Sequence, residues 1–465
     1  MSTRFLDSSD RPIWRAGALN EQTAVTLLLV AAFLIPSTLI IGPLGDIGVP
    51  SLLVSGVLLL LWVAGRLDPG LGTDLLRQPM RYLILLFVMV VLASYIAGQV
   101  RGLSPLEASG SDAALFGLAC QMGIVLFVAD AVQGLAGVVR ILQQIVWGGV
   151  VLAFAGLLEF LGVANLYQTL RLPGFTYKFT EDVDALARSG FHRVQGLAGH
   201  PIEYAVVLGM ILPLALHFAL HARPGRRAMW WVATGMIAVG LPLAVSRSGM
   251  VTVAVSMALY LATIRLRWML NLLPVAVCGL VGLAAMVPGL LGSIRSMFLP
   301  TTVETDPSIA GRTDDYSAVF TVWHAHPLFG LGPGTYVPAL YRILDNEYLY
   351  TLATMGACGV LVEISILACG YSMARRARRR STDPAVRSMA QAVASAIAGG
   401  MVGAFTFDAF GYKIMAVTTF VLIGCAAALW RIKVRDNPDR LRLAQSKMFV
   451  PVDNPAKGRR TPSNA

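Results

Sequence analysis

Charge is what this chain has least of. Lys, Arg, Asp and Glu make up 14% of its 465 residues against 56% hydrophobic residues, and the mean hydropathy is +0.67. A soluble globular domain carries about a quarter charged residues, so the composition excludes that class and indicates an integral membrane protein. Cysteine is scarce too: Cys120, Cys278, Cys358, Cys369 and Cys425 all lie inside apolar runs with no metal-ligand spacing. That excludes a disulfide framework and a zinc site and leaves them as small buried hydrophobes. No repeat, heptad pattern or separate soluble domain is visible. The N-terminal stretch MSTRFLDSSDRPIWRAGALNEQ is polar, and no small-residue cleavage site follows a short apolar core. The first apolar run is therefore expected to stay as a helix.

Long apolar runs are what the chain has in plenty. A bilayer core needs roughly 20 apolar residues per helix, and twelve candidate runs stand near 22–42, 47–65, 80–98, 112–132, 139–162, 201–220, 228–244, 249–264, 270–291, 347–373, 388–407 and 412–430. The expected fold is an all-α polytopic integral membrane protein with about 12 transmembrane helices. The domain frame is a short N-terminus (1–21), a membrane domain (22–430) and a basic tail (431–465) whose Pro content and lack of aromatics suit a disordered segment.

The net charge of +11 does not indicate nucleic acid, because the basic residues cluster in short connections and in the tail. HARPGRRA (221–228), IRLRW (264–268) and ARRARRRSTDPAVRS (374–388) belong to one alternating set of connections. That set is assigned to the cytoplasm, with both termini, by the positive-inside rule. The other set holds two long connections of mixed charge, about 163–200 and 292–346, which then face outward. Arg247, in AVSRSGMV (244–251), falls in a very short outward connection where that rule gives it no job. Either it snorkels to the headgroups, or it points into an external cavity and meets an anion.

Polar residues gather at these outward edges. RLPGFTYKFTEDVDALARSGFHRVQGLAGHPIEYA (171–205) brings His192, Arg193, His200 and Glu203 to the start of a span. In GRTDDYSAVFTVWHAH, the positions Tyr316, Val319, Phe320 and Trp323 have helical spacing. They predict a short amphipathic helix on the membrane surface, with Arg312 at its start and His324 and His326 at its end. A basic residue at a helix start opposes the dipole. HPLFGLGPG (326–334) lacks the Lys-Ser/Thr of a nucleotide loop and reads first as a turn returning the chain to the membrane. Asp345, Asn346 and Glu347 stand where the chain re-enters, as interface polarity or as a general base and sugar-hydroxyl acceptor. Glu363, deep in a span, reads as a hydrogen-bonding group between helices. Asp314 and Asp315 give no support for a metal, and no cofactor is indicated.

Four features in order resemble the bacterial O-antigen ligases and the O-antigen and exopolysaccharide polymerases of the lipid-linked repeat-unit pathway. They are HRVQGLAGHPIEYA, the SRSG after a mid-chain span, GR followed by W and HPLFGLGPG, and the N-x-x-L of LDNEYLYTLATMGACGVL. The resemblance covers roughly residues 190 to 365. It implies an inner-membrane enzyme with its site facing the periplasm, moving a glycan from undecaprenyl diphosphate onto an acceptor hydroxyl by metal-independent, inverting transfer. It implies donor-diphosphate contact for Arg247, with Arg312 and Arg193 as partners, and glycan contact or support from Asn346, His200 and Ser246. Many ligases carry His directly before the Asn of the re-entry motif, and this chain has Asp345 there. That departure favours a polymerase over a ligase and leaves Asp345, Glu347 or His326 as the base. The lipid-linked oligosaccharide and the bilayer are the expected partners, with a chain-length regulator or flippase beside them. A transporter or flippase is the non-enzymatic alternative; the scarcity of mid-span charge speaks against it.

Overall fold

The computed structural model describes residues 20–67, 78–177, 187–188, 191–264 and 307–435. The helices are α1 (Glu21–Phe33), α2 (Pro50–Leu67), α3 (Pro79–Arg101), α4 (Pro105–Ala131), α5 (Gly134–Phe160), the one-turn α6 (Leu166–Thr169), α7 (Pro201–His221), α8 (Pro224–Leu243), α9 (Arg247–Leu261), α10 (Pro307–Ala325), α11 (Glu347–Arg380), α12 (Pro384–Gly403) and α13 (Lys413–Arg435). Among the described residues strand is confined to two-residue pairs. The protein is an all-α, multi-pass membrane protein: α2, α3, α4, α5, α7, α11 and α13 are each long and apolar enough to cross a bilayer. Leu60, Leu67, Leu85, Met89 and Val100 face outward from α2 and α3, as a hydrocarbon solvent allows. The inner helix α7 is covered nearly all round, with Glu203 and Tyr204 at 0% exposure.

Eleven of the expected runs coincide with helices; the run 270–291 lies outside the described residues, as do the residues before Asn20 and the chain after Arg435. The first run differs. Pro36 stands inside it, and a proline cannot donate to the turn before it, so α1 stops at Phe33 after 13 residues. That is about 20 Å of helix against a core of about 30 Å. The chain then forms β1 (Leu39–Ile40), paired antiparallel with β2 (Thr176–Tyr177), and a 3-10 turn over Gly42–Ile47.

Close-packed glycines fix how the central helices run. A Cβ on Gly249 would lie 2.3 Å from Ala205 Cβ, and one on Gly209 would lie 3.2 Å from Thr252 and Val253. Rising residue numbers thus meet in the same order, so α7 and α9 run parallel with α8 returning between them, and their N-termini share one face of the bundle. At the opposite face Asp130 binds Arg66 and Arg81, each at 2.6 Å. Arg431 donates to the backbone oxygens of Asp130 and Val132. Four helix ends are tied there by one carboxylate and three arginines.

The segment after α10 is more than a turn. Helix α11 is broken at Gly356, whose φ of 64° and ψ of −167° are non-helical, and the segment 327–332 enters the break. Ala357 N donates to Pro327 O (2.9 Å) and Cys358 N to Leu328 O (3.2 Å); Leu331 N and Gly332 N return the bonds to Ala353 O (3.0 Å) and Thr354 O (2.9 Å). Ser94 Oγ donates to Phe329 O and Thr354 O at 2.7 and 3.0 Å. Backbone groups freed by the break are satisfied inside the protein, the condition under which irregular chain survives at membrane depth.

Candidate active site

Three short connections and two helix starts meet on the face that carries the N-termini of α7 and α9. The 193–200 segment is anchored from below by Glu159, whose Oε2 accepts from Gln195 N (3.1 Å) and Gly196 N (2.7 Å). From that segment Arg193, 8% exposed, donates from Nε to Ala244 O at 3.2 Å. Arg193 is thereby joined to the turn holding Arg247, three residues further on. Ser246 caps α9, its Oγ accepting from Gly249 N at 3.4 Å, and Arg247 is the first helical residue. Directly before Ser246 stands Val245 at φ 46°, the one non-glycine with positive φ among the described residues. A β-branched residue is costly there.

His200 caps α7 with Nδ1, which accepts from Ile202 N at 3.1 Å. Burial, and then the charge of Arg193, push its pKa down to about 4, so the ring stays neutral and keeps the lone pair that the cap needs. The ring sits 6.0 Å from that of Tyr412. Glu203 binds the start of α13: Oε1 accepts from Ile414 N (2.8 Å) and Met415 N (3.1 Å), while Oε2 accepts from Gly199 N (2.7 Å).

Asn346 caps α11, with Oδ1 accepting from Tyr348 N (3.0 Å) and Leu349 N (3.2 Å). Glu347 docks the 404–412 connection: its N–H reaches Ala404 O and Phe407 O, and its Oε2 accepts from Phe410 N at 2.8 Å. Asp408 belongs to the same group. Burial and then the negative charges of Glu347 and Asp345 raise its carboxyl well above the ordinary range. The N-termini of α7, α9, α11 and α13 thus converge on one region with an arginine pair at one edge and three carboxylates at another. Helix N-termini and arginine both favour an anion. Lys413 opens α13 and, with Glu347 and Tyr412, lines a cavity of about 380 Å³ running inward between α4, α11 and α13.

The structure therefore brings together Arg193, His200, Ser246, Arg247, Asp345, Asn346 and Glu347 from three stretches of sequence. His326 is placed elsewhere, just after α10 and beside Pro327, which meets Ala357. From Glu347 to Ala357 is on the order of 15 Å along the helix. The expected start of the amphipathic helix also shifts: α10 begins at Pro307, so Arg312 lies inside it, while Arg247 and Lys413 are cations at helix starts. The side chain of Arg312 lies outside the described residues, as does that of His192. Along α10, Val319 is fully buried, Tyr316 and Phe320 are exposed, and Asp315 pairs with Arg342 at 2.7 Å. Glu363 bonds Thr351 across the break in its own helix (2.6 Å), not a second helix.

Sequence reasoning passed over Glu159, Asp408 and Lys413. FDAFGYK (407–413) carried a signal, an acid and a base in a connection a few residues long; Glu159 carried none, being one more polar residue near a span end. No curated protein matches the chain. Residues 232–364 match the family model described as O-antigen ligase, a stretch that runs from within α8, through Ser246 and Arg247, to Glu347 and Glu363. Over that stretch the chain is similar to the O-antigen ligase family, within the ligase and polymerase superfamily that its own motifs resemble.

Proposed function

We propose that the chain is a glycan polymerase of the inner membrane, joining undecaprenyl-diphosphate-linked repeat units on the periplasmic side. The observation that supports this best is the meeting of Arg193 and Arg247 with several helix N-termini beside Asp345, Glu347 and Asp408. Transfer needs both halves. The acceptor hydroxyl oxygen attacks the anomeric carbon, and the bond from that carbon to the diphosphate oxygen breaks with its electron pair going to the leaving group. The growing negative charge falls to the arginines and helix ends, each charge-assisted hydrogen bond contributing about 1.5–3 kcal/mol. Two arginines then supply a useful part of the ~8 kcal/mol or more that enzymes remove from a barrier.

The hydroxyl proton goes to a carboxylate. Glu347 already holds Phe410 N with one oxygen, and Asp408 is biased toward its protonated form. Asp345, half-buried and directly before the cap, is the base in this reading. Arg312 remains a candidate third ligand to the diphosphate.

Purified protein supplied with lipid-linked repeat units in detergent, with no membrane gradient, is expected to lengthen the glycan and release undecaprenyl diphosphate. Neither product would sink the transferase reading and leave the transporter. In cells, loss of a polymerase leaves single repeats on the final carrier. Long glycans stranded on the lipid carrier would instead identify a ligase acting on lipid A-core; the matching family is described as O-antigen ligase.

A further inference from the structure

The cavity behind Glu347 has an unusual set of polar atoms. Thr38 Oγ1, Gln121 Oε1 and Glu363 Oε1 are buried, and among the described residues none of the three has a hydrogen-bond partner. Thr38 and Glu363 are 4% and 7% exposed. The residues come from the connection after α1, from α4 and from α11, and all line this one cavity. Two are held by their other ends: Gln121 Nε2 donates to Phe410 O (3.2 Å) and Glu363 Oε2 accepts from Thr351 Oγ1 (2.6 Å). Buried polar atoms in native proteins are nearly all bonded, so three free oxygens around one space call for an occupant that donates at several points.

That requirement selects among occupants. A polyprenyl chain has no donor. A phosphate brings acceptors to Gln121 Oε1 and Glu363 Oε1, which lack donors. A pyranose ring fits: its edge carries hydroxyl donors, and its C–H faces can rest on the aromatic walls Phe87 and Phe410. The volume, about 380 Å³, is far beyond the ~30 Å³ share of one water.

We propose that this cavity is a sugar subsite in which Thr38, Gln121 and Glu363 read the hydroxyls of one pyranose of the lipid-linked glycan. The inference rests on the glycan-transfer reading for the identity of that glycan. The three residues are specificity determinants and take no part in the bond-making step.

The test is thermal stability of the purified full chain with a panel of methyl pyranosides (gluco, galacto, manno and N-acetylglucosaminyl), with decaprenyl phosphate as the apolar anionic probe. At least one pyranoside is expected to raise Tm in the wild type and equally in Arg247→Lys, whose altered side chain lies outside the cavity. The shift is expected to vanish in Thr38→Val and Glu363→Gln, and in the transfer assay both variants raise KM about tenfold with kcat changed less. If Glu363→Gln does not fold, Thr38→Val carries the test, since it removes one hydroxyl at near-constant shape. Stabilisation by decaprenyl phosphate alone, by no pyranoside, or equally in the variants overturns the subsite. Pyranoside binding without any Arg247-dependent transfer instead overturns the transferase reading and leaves the subsite standing.

Discussion

Arg247 gains nothing from its own helix, because a cation at the first helical position opposes the dipole. Its neighbour Val245 adds a left-handed backbone that costs about 1–3 kcal/mol for such a residue. Two unfavourable features in one turn suit the anion that the proposed transfer would place at Arg247. Arg247→Lys keeps the charge and loses the planar, two-pronged contact. Transfer is expected to fall on the order of 10²-fold, with membrane insertion and Tm unchanged; wild-type rates in the lysine variant would make Arg247 an interfacial anchor. His200 gives a pH prediction. Its pKa of about 4 lies below its ordinary 6.5, so the unfolded chain binds the extra proton first. The His200 contribution is complete above pH 6.5 and is lost as pH falls from 6.5 toward 4, on the order of 3 kcal/mol in all. Melting curves of wild type and His200→Asn, a variant that still caps, should diverge in that window and run parallel above it. Charges in an apolar chain stand out, which is why Arg193, His200 and Arg247 were legible from sequence. Asp408 and Lys413 were passed over because charge beside a span end reads as ordinary interface.

At the scale of elements, hydropathy located the runs and missed the breaks inside them. Pro36 shortens α1, and Gly356 splits α11 in the middle of a continuous apolar run. No periodicity announces the second break, since its cause is the docking of HPLFGLG, distant in space before folding. A Cβ at Gly356 would lie 2.4 Å from the carbonyl carbon of Leu328, at a φ that side chains avoid. Gly356→Ala is therefore expected to destabilise the fold by more than ~2 kcal/mol and to expel the 327–332 segment. The readout is maleimide labelling of Cys358, whose N–H holds Leu328 O; labelling no faster than wild type would mean that the break survives without its glycine.

Across the whole molecule, the two ends of the bundle carry different chemistry. One holds the converging helix N-termini and the acid group, the other Arg66, Arg81, Arg223, Arg226 and the ARRARRR run. The second end faces the cytoplasm in the positive-inside assignment. In a cysteine-free background, Leu340→Cys is expected to react with an impermeant maleimide in intact spheroplasts, and Gly225→Cys only after permeabilisation. Both positions are exposed; the reverse pattern would turn the molecule over and put the candidate site on the wrong side for the proposed chemistry.

The wedge at Gly356 also bears on how the chain is made. As it enters the bilayer, the apolar stretch after Glu347 has every reason to form one unbroken helix. It can bend only where the 327–332 segment is already waiting to receive its amides. That segment, with Gly334 just after it, rests on Ser94 and Gly98 of α3 and on Gly110 of α4. We expect assembly to be ordered accordingly, with α3 and α4 seating the glycine strip and α11 taking its bent form against it.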